Sequence, residues 1–299
     1  MTDQPHPPGR VRYFELQRLA RQQSRDTQEL LTLYALEGLL ARLAASDHRD
    51  QLVLKGGMLL AAFGQRRPTR DLDVHALDLA GDLDPIRRLV ADIAAVPIED
   101  GLEFDAAGAT AQVIRDDEEY SGVRVALDAR LHAARLKTKI DVNVGDPIWP
   151  APQEVIVPRL LDEAPLVLRG YPLHMVLAEK LVTAIDRGTA NTRWRDFADI
   201  YLLTRQQPVD AADLDEAIRR VAAHRVVAVA PLADVLAGFP DLSQAKWRAW
   251  RAKQDLTDRL PAELADVIAD VSTFADPILE HGPTMANASW DPLAKRWTK

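Results

Sequence analysis

Between residues 112 and 144 apolar and polar side chains alternate with period two. Before about residue 45 and after about residue 170, apolar residues instead recur at three- and four-residue spacing. A β-rich centre bracketed by helices constrains the chain to an α+β architecture rather than a regular strand-helix alternation. Ile140-Asp141-Val142-Asn143-Val144 is the clearest strand, with others expected at Gln112-Val113-Ile114, Gly122 to Leu131 and Leu136 to Val144. Pro147, Pro150, Pro152 and Pro158 then predict loop or edge strand.

The flanks fill in around this centre. Val11 to about Ala45 reads as two helices, the second capped by Asp26 with Glu29 as its capping-box partner. A short apolar run from Gln51 to Leu54 ends at Lys55-Gly56-Gly57, followed by a short helix from Met58 to Phe63. Asp84 to Val96 is helical. Helices are also expected at His174 to Arg187, Arg195 to Thr204 and Ala211 to His224, with at least two more out to Phe274. Residues 1–10 and 275–299 read as frayed or loosely packed tails. The division expected is 1–168 for N-terminal helices plus a catalytic-type core, and 169–299 for a helical domain.

Composition removes several classes of function. With 47% apolar residues, the 299-residue chain can bury a large core, which excludes disorder. It has no cysteine, so disulfide scaffolds, thiolate-zinc sites and thiol nucleophiles are excluded. No apolar run reaches the roughly 18–20 residues of a membrane span, and the polar, proline-bearing N-terminus lacks a signal-peptide core. A cytoplasmic protein without a membrane partner is the expectation. The charge of −8 argues against non-specific coating of nucleic acid, though not against a local basic grip.

One constellation carries chemistry. Gly56-Gly57 is followed, after thirteen residues, by Asp71-Leu72-Asp73-Val74. Two Asp one residue apart on a strand share a face and can ligate the same hard cations, Mg²⁺ or Mn²⁺, through oxygen. A Gly-Gly turn lets backbone N–H groups approach a triphosphate. Asp141, on its own alternating strand, supplies the third carboxylate of a two-metal site. Such a site suits nucleotidyl transfer, which depends on positioning and charge neutralisation. Lys55 is either a phosphate contact or a solvated strand end. Further on, Lys180 lies on an apolar helix face, so it needs a partner, and Arg187 lies two turns beyond.

These motifs resemble the nucleotidyltransferase superfamily related to polymerase β. More narrowly, Leu54-Lys55-Gly56-Gly57-Met58 and Arg67-Pro68-Thr69-Arg70-Asp71-Leu72-Asp73 resemble the AbiEii/AbiGii toxins, including the MenT toxins. The helix carrying Lys180 and Arg187 resembles the family's second motif, and Arg195-Asp196-Phe197-Ala198-Asp199 its third. The likeness extends to about residue 202.

The resemblance implies a polymerase-β-like core with a mixed sheet, and a C-terminal helical domain completing the nucleotide site. It also implies an NTP substrate, pyrimidine nucleotides transferred to the 3′ acceptor end of tRNA, translation arrest and a cognate antitoxin. Lys180 then faces the phosphates and Arg187 binds phosphate or pairs with an acid. Asp196 and Asp199 serve either as an ion-pair network pinning their helix, or for base recognition and the orientation of Lys180. Thr69 matches a position that kinase-like antitoxins phosphorylate in part of the family. Arg66, Arg67, Arg70, Arg135 and Lys137 are candidate RNA contacts beside the carboxylates. Lys246, Arg248, Arg251 and Lys253, with Trp247 and Trp250, read more readily as core and surface of one helix. Two alternatives share the carboxylates: a nucleotidyltransferase acting on a small molecule, and a catalytically silent binding module.

Overall fold

The computed structural model describes residues 7–115, 121–161 and 164–299. Two compact units emerge, one of Met1–Gly145 and Gln153–Gly170, the other of Asp146–Pro152 and Tyr171–Lys299.

The first unit opens with helices α1 (Pro8–Gln22) and α2 (Thr27–Ala45). Asp26 caps α2 by accepting the Gln28 N–H at 3.0 Å. Glu29 does not close the expected capping box, because Arg25 takes its carboxylate through Nε at 3.0 Å. Residues 8–10 belong to α1 rather than to a frayed tail, and residues 1–6 lie outside the described residues. Strand β1 (Leu52–Lys55) leads into the short helix α3 (Gly56–Leu59), then β2 (Leu72–Ala76) and helix α4 (Leu83–Ala94). Next come β3 (Leu102–Phe104), β4 (Thr110–Arg115), β5 (Ser121–Leu131), β6 (Ala134–Val144), β7 (Gln153–Val157) and β8 (Leu166–Gly170).

These strands form one mixed sheet in the order β3-β5-β6-β2-β1-β8-β7, with β4 paired to β5. β2 runs parallel to β6 and antiparallel to β1. The proline-flanked β7 takes an edge, where missing ladder donors cost least. Along β6, Leu136, Thr138 and Ile140 are buried while Arg135, Lys137 and Lys139 are exposed, as a sheet covered on one face requires. A buried ion pair, Arg42 to Asp100 at 2.6 Å, ties α2 to the β3 segment.

The second unit is mainly helical. It contains α5 (Leu173–Arg187), α6 (Trp194–Leu203), strand β9 (Val209–Asp210), α7 (Ala211–His224), α8 (Leu232–Val235), α9 (Phe239–Lys253) and α10 (Leu264–His281). The chain ends in β10 (Ser289–Asp291) and β11 (Arg296–Thr298). The expected loose tail after residue 275 is instead ordered. Helix α10 runs through Pro277 to His281, and β10 joins β9 and β11 in a three-stranded sheet. Aromatic burial explains this: Trp290 packs edge-on to Phe274 at 5.0 Å and Trp297 stacks on Phe274 at 5.4 Å. On α9, Trp247 is fully buried and donates its indole N–H to the Pro261 carbonyl at 3.2 Å, which makes it core.

Candidate active site

In the first unit, strand register assembles four charged residues into one row. Lys55 on β1 is paired with Asp73 on β2, Asp73 with Asp141 on β6, and Asp141 with Arg124 on β5. Residues opposite one another in a sheet project to the same face. The row therefore reads plus, minus, minus, plus across four adjacent strands. Asp71 stands two residues before Asp73, at a bend just ahead of β2, near enough for its charge to act on the Asp73 carboxyl.

The glycine turn makes room for this row. Gly56 has φ +64°, and a Cβ there would lie 1.9 Å from the Asp73 carboxylate, so only glycine permits the approach. The Gly57 N–H donates to that carboxylate. A Cβ on Gly57 would meet the Thr69 hydroxyl at 2.7 Å and lie 3.6 Å from the Arg67 guanidinium carbon. Thr69 is buried, and its hydroxyl is shared between the carbonyl and the carboxylate of Asp71, each at 3.3 Å.

Crowded carboxylates repel. Burial, followed by the neighbouring Asp71, pushes the Asp73 carboxyl up to about 6; Asp141 adds to the rise, while Lys55 and the Gly57 N–H oppose it. Asp141 is held differently. Arg124 donates to both of its oxygens, Nε at 2.7 Å and Nη2 at 2.6 Å. That bidentate bond, joined by the surrounding carboxylates, outweighs the opposing effect of burial and leaves the Arg124 guanidinium even more firmly protonated than usual.

Arg124 escaped the sequence analysis. A signal for it existed: β5 and β6 are joined by the two-residue turn His132-Ala133, and counting back from Leu131 opposite Ala134 places Arg124 against Asp141.

Whether these residues suit a divalent cation can be judged from the row itself. Among the described residues, no three acidic or imidazole side chains already form a ready metal cage. At this place Arg124 takes up both oxygens of Asp141. The chemistry nevertheless fits. Three carboxylates offer the oxygen ligands a hard cation takes, one of them is pushed up by burial and then by its acidic neighbours, and a guanidinium stands in as positive charge against another.

The predicted basic residues separate into three groups. Arg66 donates to the fully buried Glu37 at 2.5 Å and to the Pro158 carbonyl. Glu37 also accepts the Leu160 N–H at 3.0 Å, so Arg66 serves as a structural clasp rather than an open contact for RNA. Arg67 lies against the glycine turn, and Arg70 is exposed. Arg135, Lys137 and Lys139 extend from Asp141 along the exposed face of β6, about 7 Å apart at two-residue strand spacing.

The second unit holds a separate cluster. Lys180 on α5 donates to Asp196 at 2.8 Å and to Asp199 at 2.8 Å, both on α6. Burial pushes the Asp196 carboxyl up, yet the adjacent Lys180 ammonium, aided by Arg193 and Arg195, holds it below the ordinary value. Both acids contribute equally short contacts, where the sequence left open which of them matters. Arg187 lies at the C-terminal end of α5.

The sequence matches the family described as nucleotidyl transferase AbiEii toxin, type IV toxin-antitoxin system, over residues 38–276. The chain belongs to this family, and it is therefore a nucleotidyltransferase of the toxin-antitoxin class, with an antitoxin as partner. No curated protein matches it. Two solved structures from Helicobacter pylori are similar at 15% identity and a TM-score of 0.49. One, provisionally described as a nucleotidyltransferase, covers 87% of this chain and 98% of its own length; the other, JHP933, covers 86% and 96%. At that level of similarity, membership rests on the family match. Among the described residues no helix is long and apolar enough to cross a membrane.

Proposed function

We propose that this protein transfers a nucleoside monophosphate from an NTP, preferably a pyrimidine nucleotide, to the 3′ end of tRNA and thereby blocks translation. The observation that carries the reading is the row Lys55-Asp73-Asp141-Arg124 with Asp71 beside it. Asp71, Asp73 and Asp141 would hold divalent cations, Mg²⁺ or Mn²⁺. Such cations, when bound, neutralise the triphosphate and polarise its α-phosphorus.

The chain's own residues supply the rest. We assign Gly56 and Gly57 to the turn that faces the phosphates; their missing Cβ atoms admit the Asp73 carboxylate and the Thr69 hydroxyl, and Lys55 and Arg67 bring positive charge to that turn. In the helical unit we assign Lys180 and Arg187 to phosphate binding, with Asp196 and Asp199 orienting Lys180. Transfer then consists of attack by the acceptor 3′-hydroxyl oxygen on the α-phosphorus, cleavage of the bond to the β-phosphate and departure of pyrophosphate.

The exposed stripe Arg135-Lys137-Lys139 favours RNA over a small-molecule acceptor. A polyanion needs cations at intervals along its backbone, whereas a small acceptor needs only a pocket. A phosphate on Thr69 would lie against Asp71 and repel the triphosphate. The hydroxyl is buried, however, so an antitoxin acting there would first have to open the 65–70 segment.

Incubation with each labelled NTP and total tRNA tests the proposal. The expected result is label at the RNA 3′ end, dependent on divalent cation and greatest with a pyrimidine nucleotide. Absence of label from RNA, with transfer to a small acceptor, would establish the alternative.

A further inference from the structure

The proposed metal site leaves Arg124 without a role, although it makes the tightest set of contacts there. Both of its bonds go to one carboxylate, the fork geometry is bidentate, and the partner lies directly opposite on the neighbouring strand. Arg124 and Asp141 thus face each other through backbone register alone, with no loop to rearrange. An arginine placed this way neutralises Asp141 as a cation would, and it does so with the same two oxygens a cation would need.

We propose that Arg124 is a positioning residue that acts as a built-in counter-ion, holding Asp141 until a divalent cation displaces its guanidinium. This inference rests on the reading of Asp71, Asp73 and Asp141 as metal ligands. The physical logic is competition for a single pair of oxygens. Without a cation, three neighbouring carboxylates would carry mutual repulsion into the folded state. Arg124 and Lys55 cap the row at both ends and relieve it. When a cation binds, the Asp141 bonds to Arg124 must break, so apparent metal affinity is lowered by the strength of that pair. The arrangement keeps the free protein folded independently of metal, at the cost of weaker metal binding.

The test is direct titration of the full-length protein with Mn²⁺, without nucleotide, following free Mn²⁺ by electron paramagnetic resonance. Arg124→Gln should tighten Mn²⁺ binding by roughly three- to tenfold, the scale of removing one charge-assisted competitor. It should also lower the melting temperature of the metal-free protein, with Mn²⁺ restoring more stability than in the parent. Arg124→Lys keeps the charge but cannot grip both oxygens in a fork, so it should tighten binding as well. Arg124→Lys binding Mn²⁺ no more tightly than the parent would show that background charge alone matters, and would overturn the proposal. So would weaker binding in Arg124→Gln. Asp141→Asn separates the two readings. If it leaves Mn²⁺ affinity unchanged, the metal site itself is wrong and the inference falls with it. If it weakens binding while neither Arg124 variant tightens it, only the counter-ion role is refuted. Should Arg124→Gln fail to fold, Arg124→Lys alone decides the matter.

Discussion

The two units each bury a cluster of acids beside cations, and they place the cations in opposite ways. On α5 and α6, one ammonium sits between Asp196 and Asp199 at equal distance, and Asp196 is held below its ordinary protonation range. On β1, β2, β6 and β5, the cations stand at the ends of the row, and Asp73 is pushed up to about 6. Placement decides the outcome. Burial raises both acids; Lys180, lying between two carboxylates, outweighs it at Asp196, whereas at Asp73 the neighbouring carboxylates add to it and Lys55 with the Gly57 N–H does not offset the sum. The helical cluster is electrostatically closed, while the sheet row still has a demand for positive charge at its middle.

The largest test of that contrast is Asp73→Asn. Nucleotidyl transfer should fall by about 10² to 10³-fold or more, the scale of losing one preorganised charge-stabilising group, while the protein stays folded because a repulsion has been removed. Retained transfer in a labelled-NTP assay would place the active centre elsewhere. Next is Lys180→Met, which strands two buried acids and should cost about 3–5 kcal/mol of stability in urea denaturation. A stable but inactive variant would mean that Lys180 serves chemistry without pinning α6.

Gly56→Ala should cost about 1–3 kcal/mol, the range for a strained backbone conformation, and should also dislodge the Asp73 carboxylate that its Cβ would meet. A combined loss of melting temperature and activity checks it. Replacing Arg135 and Lys137 with Glu should raise the KM for tRNA and reduce its salt dependence, by about one unit of slope per lost phosphate contact. KM for the NTP should not change. An equal effect on both substrates would remove the stripe from RNA binding.

The smallest expected effect concerns acid. A carboxyl held below its unfolded value contributes stability that is present above the unfolded value and lost as pH falls through the folded one. Asp196 therefore supports the fold above about pH 4, and Asp196→Asn should flatten the acid limb of a stability-against-pH curve below that point. An unchanged acid limb would mean that Lys180 does not stabilise the ionised form.

The residues of the candidate site were legible because their identities and local periodicity single them out. The Asp71-Leu72-Asp73 spacing flags two acids for one face, Lys180 calls for a partner by its apolar helix face, and Gly56-Gly57 announces a turn where Cβ atoms cannot fit. Asp26 was readable as a cap, while Glu29 was lost to Arg25, a neighbour at i, i+4 spacing that the i, i+3 capping rule ignores. Arg66 looked like a free cation because nothing local reveals Glu37, which is brought to it by the packing of α2. The final residues looked like a tail because Pro277, Pro283 and Pro292 mask an aromatic cluster assembled across β10, β11 and α10.

Sequence alone determined the α+β class and the family, and it marked the acids and glycines proposed for the site. Only the tertiary structure decided that Asp73 and Asp141 are direct neighbours, that Arg124 grips Asp141 and that one lysine serves both Asp196 and Asp199. The physical reason is that periodicity sets the direction of a side chain relative to its own strand or helix. Which strand lies alongside, and in what register, depends on burial and pairing between segments far apart in the chain.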